Sequence, residues 1–114
     1  MANKINARKK GASGERELAN VLSALTGQDC SRVAYQYGNK DAGDYPDVAG
    51  LDGLHIECKR VEKLNIDTAY EQSVRDAKEG EIPVVMHRKN RKNGKVTLSI
   101  EDFCKMYNCW NNNE

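Results

Sequence analysis

Three carboxylates and one lysine carry the chemistry this sequence can support. In Leu54-His55-Ile56-Glu57-Cys58-Lys59 side chains alternate between two faces of a strand. Leu54, Ile56 and Cys58 share one face, and His55, Glu57 and Lys59 the other. Glu57 and Lys59 then have Cα atoms roughly 6.7 Å apart. Alone, the pair also suits a half-exposed strand with solvated charges, worth under ~1 kcal/mol. Asp47 follows Pro46 and opens the preceding strand, and the Asp52-Gly53 turn folds that strand back. Nine residues lie between Asp47 and Glu57, which suits a hairpin bringing both carboxylates to one neighbourhood. Pro46-Asp47 is equally a common turn dipeptide. At about 100° per residue, Glu15 falls on the Leu18, Leu22 and Leu25 side of a helix, and Glu17 points toward water. Glu15 either complements the helix dipole or reaches over the sheet toward Asp47 and Glu57.

If the three acids converge, they need a counter-charge. Two carboxylates ~5 Å apart repel by roughly 3 kcal/mol at an effective dielectric of ~20. That exceeds what Lys59 alone returns. The cluster should hold a divalent cation or carry a raised pKa. Oxygen ligands without a His–Cys set favour Mg²⁺ or Mn²⁺. Cys58, on the apolar face, reads as core.

The positioning elements follow from the pattern. Leu18, Val21, Leu22 and Leu25 recur at helical spacing from Ser13 to Leu25, with Gly27 as a stop. Arg32–Tyr35 is a short strand, and Gln36–Tyr45 a loop rich in Gly, Asn and Asp. Strands are expected at Asp47–Ala49, Leu54–Arg60, Ile82–His87 and Val96–Ile100, the last two joined by a turn at Asn93-Gly94. Helices are expected at Ile66–Lys78, with Ile66, Tyr70, Ser73, Val74 and Ala77 on one side and Gly80 closing it, and at Glu101–Trp110. The class is α/β or α+β: a central mixed sheet of about five strands flanked by helices.

The 114 residues, 39% hydrophobic and 31% charged, form one domain spanning 1–114. A basic arm over 1–12 and a tail over 111–114 are expected to fray. A net charge of +1 names no partner. No apolar run crosses a membrane, and no h-region follows the basic start, which fits a cytoplasmic prokaryotic or viral protein. Cys30, Cys58, Cys104 and Cys109 contain no C-x-x-C pair, so zinc is disfavoured and reduced buried thiols are expected. No phosphate-binding loop is present, so no nucleotide cofactor is expected. His55 and His87 accompany no nucleophile motif. Phe103, Met106 and Trp110 read as core or dimer surface.

The run Lys10-Gly11-Ala12-Ser13-Gly14-Glu15-Arg16-Glu17-Leu18, then Pro46-Asp47-Val48, then Ile56-Glu57-Cys58-Lys59 resembles the PD-(D/E)-x-K nuclease superfamily. Within it, the likeness is to archaeal-type Holliday junction resolvases and their viral relatives, over about residues 8–88. The resemblance implies a restriction-endonuclease-like fold and a Mg²⁺-dependent endonuclease, with Mn²⁺ substituting. It implies Asp47 and Glu57 as metal ligands with the Cys58 backbone carbonyl, Glu15 contributing through water, and Lys59 as the catalytic lysine. Gln72, in Glu71-Gln72, resembles a supporting residue. A metal so held would polarise the phosphodiester and activate a water, and Lys59 would steady the developing charge. The segment Tyr35-Gln36-Tyr37-Gly38-Asn39-Lys40 departs from the small-residue loop of relatives.

Basic residues cluster at Lys4, Arg8, Lys9 and Lys10 and again at Arg88, Lys89, Arg91, Lys92 and Lys95, flanking an acidic centre. That distribution draws phosphates to a negative site; a solvated hairpin tip is the plainer account of the second group. Lys9, Lys10, Arg16, Arg32 and Lys40 are the expected DNA contacts. The leading expectation is a homodimeric nuclease acting on four-way or other branched DNA. The alternatives are a nuclease for flaps, single strands or duplex, and a DNA-binding module without turnover.

Overall fold

The computed structural model describes residues 4–33 and 45–112. Eight elements run in the order α1 (Lys4–Thr26), β1 (Ser31–Arg32), β2 (Val48–Ala49), β3 (Leu54–Lys59), α2 (Ile66–Asp76), β4 (Ile82–His87), β5 (Lys95–Thr97) and α3 (Ile100–Asn112). The five strands form one mixed sheet in the order β1-β2-β3-β4-β5. Only β3 and β4 are parallel, from Leu54↔Ile82 to Lys59↔His87. Parallel neighbours need a crossover, and α2 supplies it. The architecture is the mixed α/β sheet the sequence predicts.

Both faces of β3 are covered. Ile56 and Val48, fully buried, join Ala19, Cys30, Val84 and Met86 in the core beneath α1. On the other face α2 packs on β3 and β4, burying Ala69 and Ser73. The side chains of His55 and Val85 are fully enclosed. Glu57 is only 3% exposed, so the half-exposed strand with a solvated Glu/Lys pair is overturned. A strand between two helical layers has no wet face.

Several boundaries differ from expectation. α1 starts at Lys4, nine residues before the apolar periodicity begins, so the arm expected to fray is helical from that point. Lys, Ala and Arg are good helix formers, and adding residues to a helix already nucleated costs far less than starting one. α3 likewise continues to Asn112. α2 ends at Asp76, ahead of Gly80, and Val74 is exposed. Its start is capped by Asn65, whose side chain accepts from the Thr68 N–H at 3.1 Å, worth ~1 kcal/mol. The late hairpin turns at Lys89–Lys92, where the Lys92 N–H reaches the Lys89 carbonyl and Arg91 takes φ 62°, not at Asn93-Gly94. Residues 34–44, including Lys40 and most of the expected loop, lie outside the described residues.

Gly50 is a position where glycine is required. Its φ is +130°, and a Cβ there would lie 2.5 Å from the Asp29 carbonyl oxygen. Cys30 is buried, Cys58 half-buried, and Cys104 and Cys109 exposed, all as free thiols. The expectation of four buried thiols fails for the last two, because α3 buries none of its residues. Among the described residues no helix is long and apolar enough to cross a membrane.

Candidate active site

Asp47 and Glu57 meet because β2 is short. The Asp47 N–H donates to the Ile56 carbonyl at 2.8 Å, and Val48 pairs with Ile56. Beyond Ile56 the ladder stops, which would leave the Cys58 N–H unpaired on that edge of β3. Asp47 closes the gap, its Oδ2 accepting from the Cys58 N–H at 2.9 Å. Strand geometry puts the Cys58 carbonyl on the same edge as its N–H.

Burial pushes the Asp47 carboxyl up to about 7, with the charge of Glu57 next in importance. The Cys58 N–H bond pulls it down, while a hydrogen bond to Glu57 and the charge of Glu15 add to the rise. Two carboxyls therefore adjoin at a partly desolvated spot, the situation in which one keeps its proton or a cation enters. Glu57 is held in turn by fully buried His55, whose Nε2 lies 3.0 Å from Glu57 Oε1. Burial alone would lower the His55 pKa, but the hydrogen bond and charge of Glu57, then Glu81 and Asp76, raise it above its usual value. His55 Nδ1 is buried without a hydrogen bond, 3.7 Å from Glu81.

Lys59 is half-buried and makes no ion pair among the described residues. It lies two residues after Glu57 on β3 and lines the cleft between α1 and the sheet. The Cys58 thiol is pushed up to about 12, mainly by burial and then by Asp47 and Glu15. It is no nucleophile at neutral pH.

Glu15 does face the sheet, but its carboxylate is taken by Arg32, with Nε 2.6 Å from Oε2. Arg32, one of the expected DNA contacts, pairs with this acid. Arg16 is exposed on α1, and the Lys9 and Lys10 positions belong to its first turns. Gln72 is half-buried on α2, and no hydrogen bond joins it to the carboxylates among the described residues. His87 bonds Thr97 at 2.9 Å and has its pKa lowered by burial and Lys95, consistent with a structural place.

Glu17 corrects the sequence reading most clearly. Expected to point to water, it bridges Arg60 and Arg88. Those arginines follow the paired strand ends Lys59 and His87, so the parallel ladder sets them side by side below the flank of α1. Arg88 is thereby tied to the site wall and not to the hairpin tip. Two arginines, each just past the end of a parallel strand, with an unassigned Glu on the covering helix, was the available signal. A helical wheel considers only the helix and cannot show what reaches it from the sheet. Gly14 permits the approach, since a Cβ there would lie 3.2 Å from Arg60 Cβ.

The donor set fits a hard divalent cation. Asp47 and Glu57 offer adjoining oxygens, the Cys58 carbonyl shares their edge, and all are hard oxygen donors of the kind such an ion takes. Among the described residues no three His, Cys, Asp or Glu side chains gather as a metal-binding group. Glu15, the third acid expected there, is paired with Arg32.

Residues 6–114 match the family model described as "Phage putative PDDEXK endonuclease". A solved structure of Archaeoglobus fulgidus Hjc, a Holliday junction resolvase from an archaeal hyperthermophile, is similar in fold, with a TM-score of 0.54 at 26% identity. The similarity covers 78% of this chain and 72% of that one. No curated protein matches.

Proposed function

The chain belongs to the phage PDDEXK endonuclease family, and from that premise we propose that it cuts branched DNA, in the first place four-way junctions, as a Mg²⁺-dependent homodimer. The observation carrying this reading is the Asp47–Glu57 pair at the end of the β2–β3 ladder, with Lys59 on the same strand. The resolvase similarity favours a junction over linear duplex.

Asp47, Glu57 and the Cys58 carbonyl would hold the ion. When bound, it supplies polarisation of the phosphodiester and a water of lowered pKa. Asp47 must be ionised to serve, and Cys58 orients its carboxylate. His55 fixes the rotamer of Glu57 from beneath. Lys59 presents an ammonium to the charge that develops on the phosphate. Glu15, neutralised by Arg32, keeps α1 over β1 at the site's edge. Lys9, Lys10 and Arg16 supply phosphate contacts from α1, and Gln72 supports the α2 side.

The test is Mg²⁺-dependent cleavage of an immobile four-way junction beside linear duplex of the same arm sequence, at one salt concentration. Wild type and Asp47→Asn run in parallel. Paired cuts in the junction, absent in the variant, are expected. Equal cutting of duplex would make it a general nuclease, and tight binding without cutting in Mg²⁺ or Mn²⁺ a binding module.

A further inference from the structure

α3 is a thirteen-residue helix with no buried residue. Its apolar side chains, Ile100, Phe103, Met106, Tyr107 and Trp110, recur at helical spacing and share one face, yet Ile100 is 83% and Trp110 61% exposed. Tyr107 and Trp110 stack on each other with ring centroids 5.7 Å apart. An isolated helix of this length is marginal in water, and such a stripe on a folded domain marks an interaction surface.

The same chain carries a receptor. α1 covers β1, β2 and β3, and between α1 and β5 runs a cleft of about 330 Å³. Lys59 and Arg60 line it beside Gly14 and Glu17, whereas the docking surface is its apolar stretch, Leu18, Val21, Leu22 and Leu25 of α1 with Met86 and Val96 of the sheet. Leu25 is 81% exposed. The cleft is sized for the larger side chains of a docking helix. Its wall also carries Lys95, which makes no ion pair among the described residues, Arg88 being held by Glu17, while α3 has Glu101 and Asp102 in its first turn. The one lysine on α3, Lys105, lies 3.8 Å from Asp102. This acidic, lysine-poor helix suits neither DNA nor an anionic lipid surface.

We propose that α3 of one copy seats its apolar face in the α1/β5 cleft of a second copy of this chain, reciprocally about a two-fold axis. The area is sufficient. Three half-exposed aromatics with the exposed aliphatics of α3 and the cleft offer on the order of 700 Å² per copy, or roughly 1,400 Å² in total, within the range of stable interfaces. A reciprocal helix-in-cleft exchange is isologous and closes at two copies. This rests on the homodimer proposed above, and names its surface.

Analytical ultracentrifugation of the full chain tests it, with fluorescence of the single tryptophan as a second reading. A dimer is expected whose Trp110 emission moves to the blue as concentration rises. Leu25→Glu and Trp110→Glu alter exposed side chains, and circular dichroism verifies that each variant folds. Each should weaken association at least tenfold. Mixing the two should restore heterodimers, because one intact helix–cleft pair survives. A dimer indifferent to both variants would leave the dimer standing and overturn this surface. Loss in Trp110→Glu alone would mean that α3 pairs with α3, which also overturns the cleft. A wild-type monomer would overturn the dimer and the surface together, and blue emission at every dilution would show α3 folded onto its own cleft. None of these outcomes depends on cleavage, so the nuclease reading stands or falls separately.

Discussion

The backbone N–H of Cys58 donates to the carboxylate of Asp47 at 2.9 Å, so a side chain completes the ladder that β2 leaves unfinished. The bond ties the position of one acidic group to the register of the sheet. It also brings that group against Glu57, and burial, then the charge of Glu57, lifts the Asp47 pKa to about 7.

That rise has a signed consequence for stability. An acid whose folded pKa lies above its unfolded value of 3.8 binds its proton more tightly in the folded chain. Stability is therefore lost as pH climbs from about 4 through about 7. The span corresponds to ~4 kcal/mol at most. In EDTA at about pH 8, Asp47→Asn should melt above wild type, and the gap should nearly close at about pH 4. With Mn²⁺ the order reverses, because only wild type gains stability from the ion. Calorimetric melts at the two pH values, with and without Mn²⁺, measure both effects.

Lys59→Ala should separate binding from turnover. Removing one cation that meets developing charge costs ~10²–10³-fold in rate, whereas losing one phosphate contact changes the salt slope of DNA binding by about one. Single-turnover cleavage and salt-dependent anisotropy measure the two. A variant that lost binding and cleavage in proportion would place Lys59 among the DNA contacts alone.

His55→Ala removes the hydrogen-bond partner of Glu57 at a site with no access to water. The cavity and the orphaned carboxylate together cost ~2–4 kcal/mol. Mn²⁺ affinity should fall ~10–100-fold, as when groups supporting a metal ligand are lost. Titration calorimetry of His55→Ala beside His55→Gln, which retains an N–H donor, distinguishes lost orientation from lost packing: the Gln variant should recover much of the affinity.

Gly50→Ala should be destabilising without touching the chemistry. The φ of +130° and the 2.5 Å approach to the Asp29 carbonyl force the chain before β1 away from β2, costing ~1–3 kcal/mol from the backbone alone. Urea denaturation should show a lower midpoint with unchanged m-value. Asp47 and Glu57 lie beyond this crossing, so metal affinity should hold while the variant is folded.

Much of the fold is local information, and local information is legible in one chain. Alternation in Leu54–Lys59, helical recurrence from Leu18 to Leu25 and the turn glycine Gly53 specify element types, while the start of α1 at Lys4 lies outside its apolar pattern. The spacing from Asp47 to Glu57 specifies that a hairpin can join them, and the PD-(D/E)-x-K pattern places the chain in its family. What sits across from a residue is not local. That Glu15 meets Arg32, that Glu17 bridges Arg60 and Arg88, and that His55 lies sealed beneath Glu57 all depend on which layers close over the sheet. The same holds for α3. Its periodicity predicts a buried face, but whether this domain or another copy covers that face depends on the space α1 leaves beside β5. Hydrophobic pattern is a property of a segment, while burial and charge pairing belong to the packed assembly, which is where the chemistry of these carboxylates is decided.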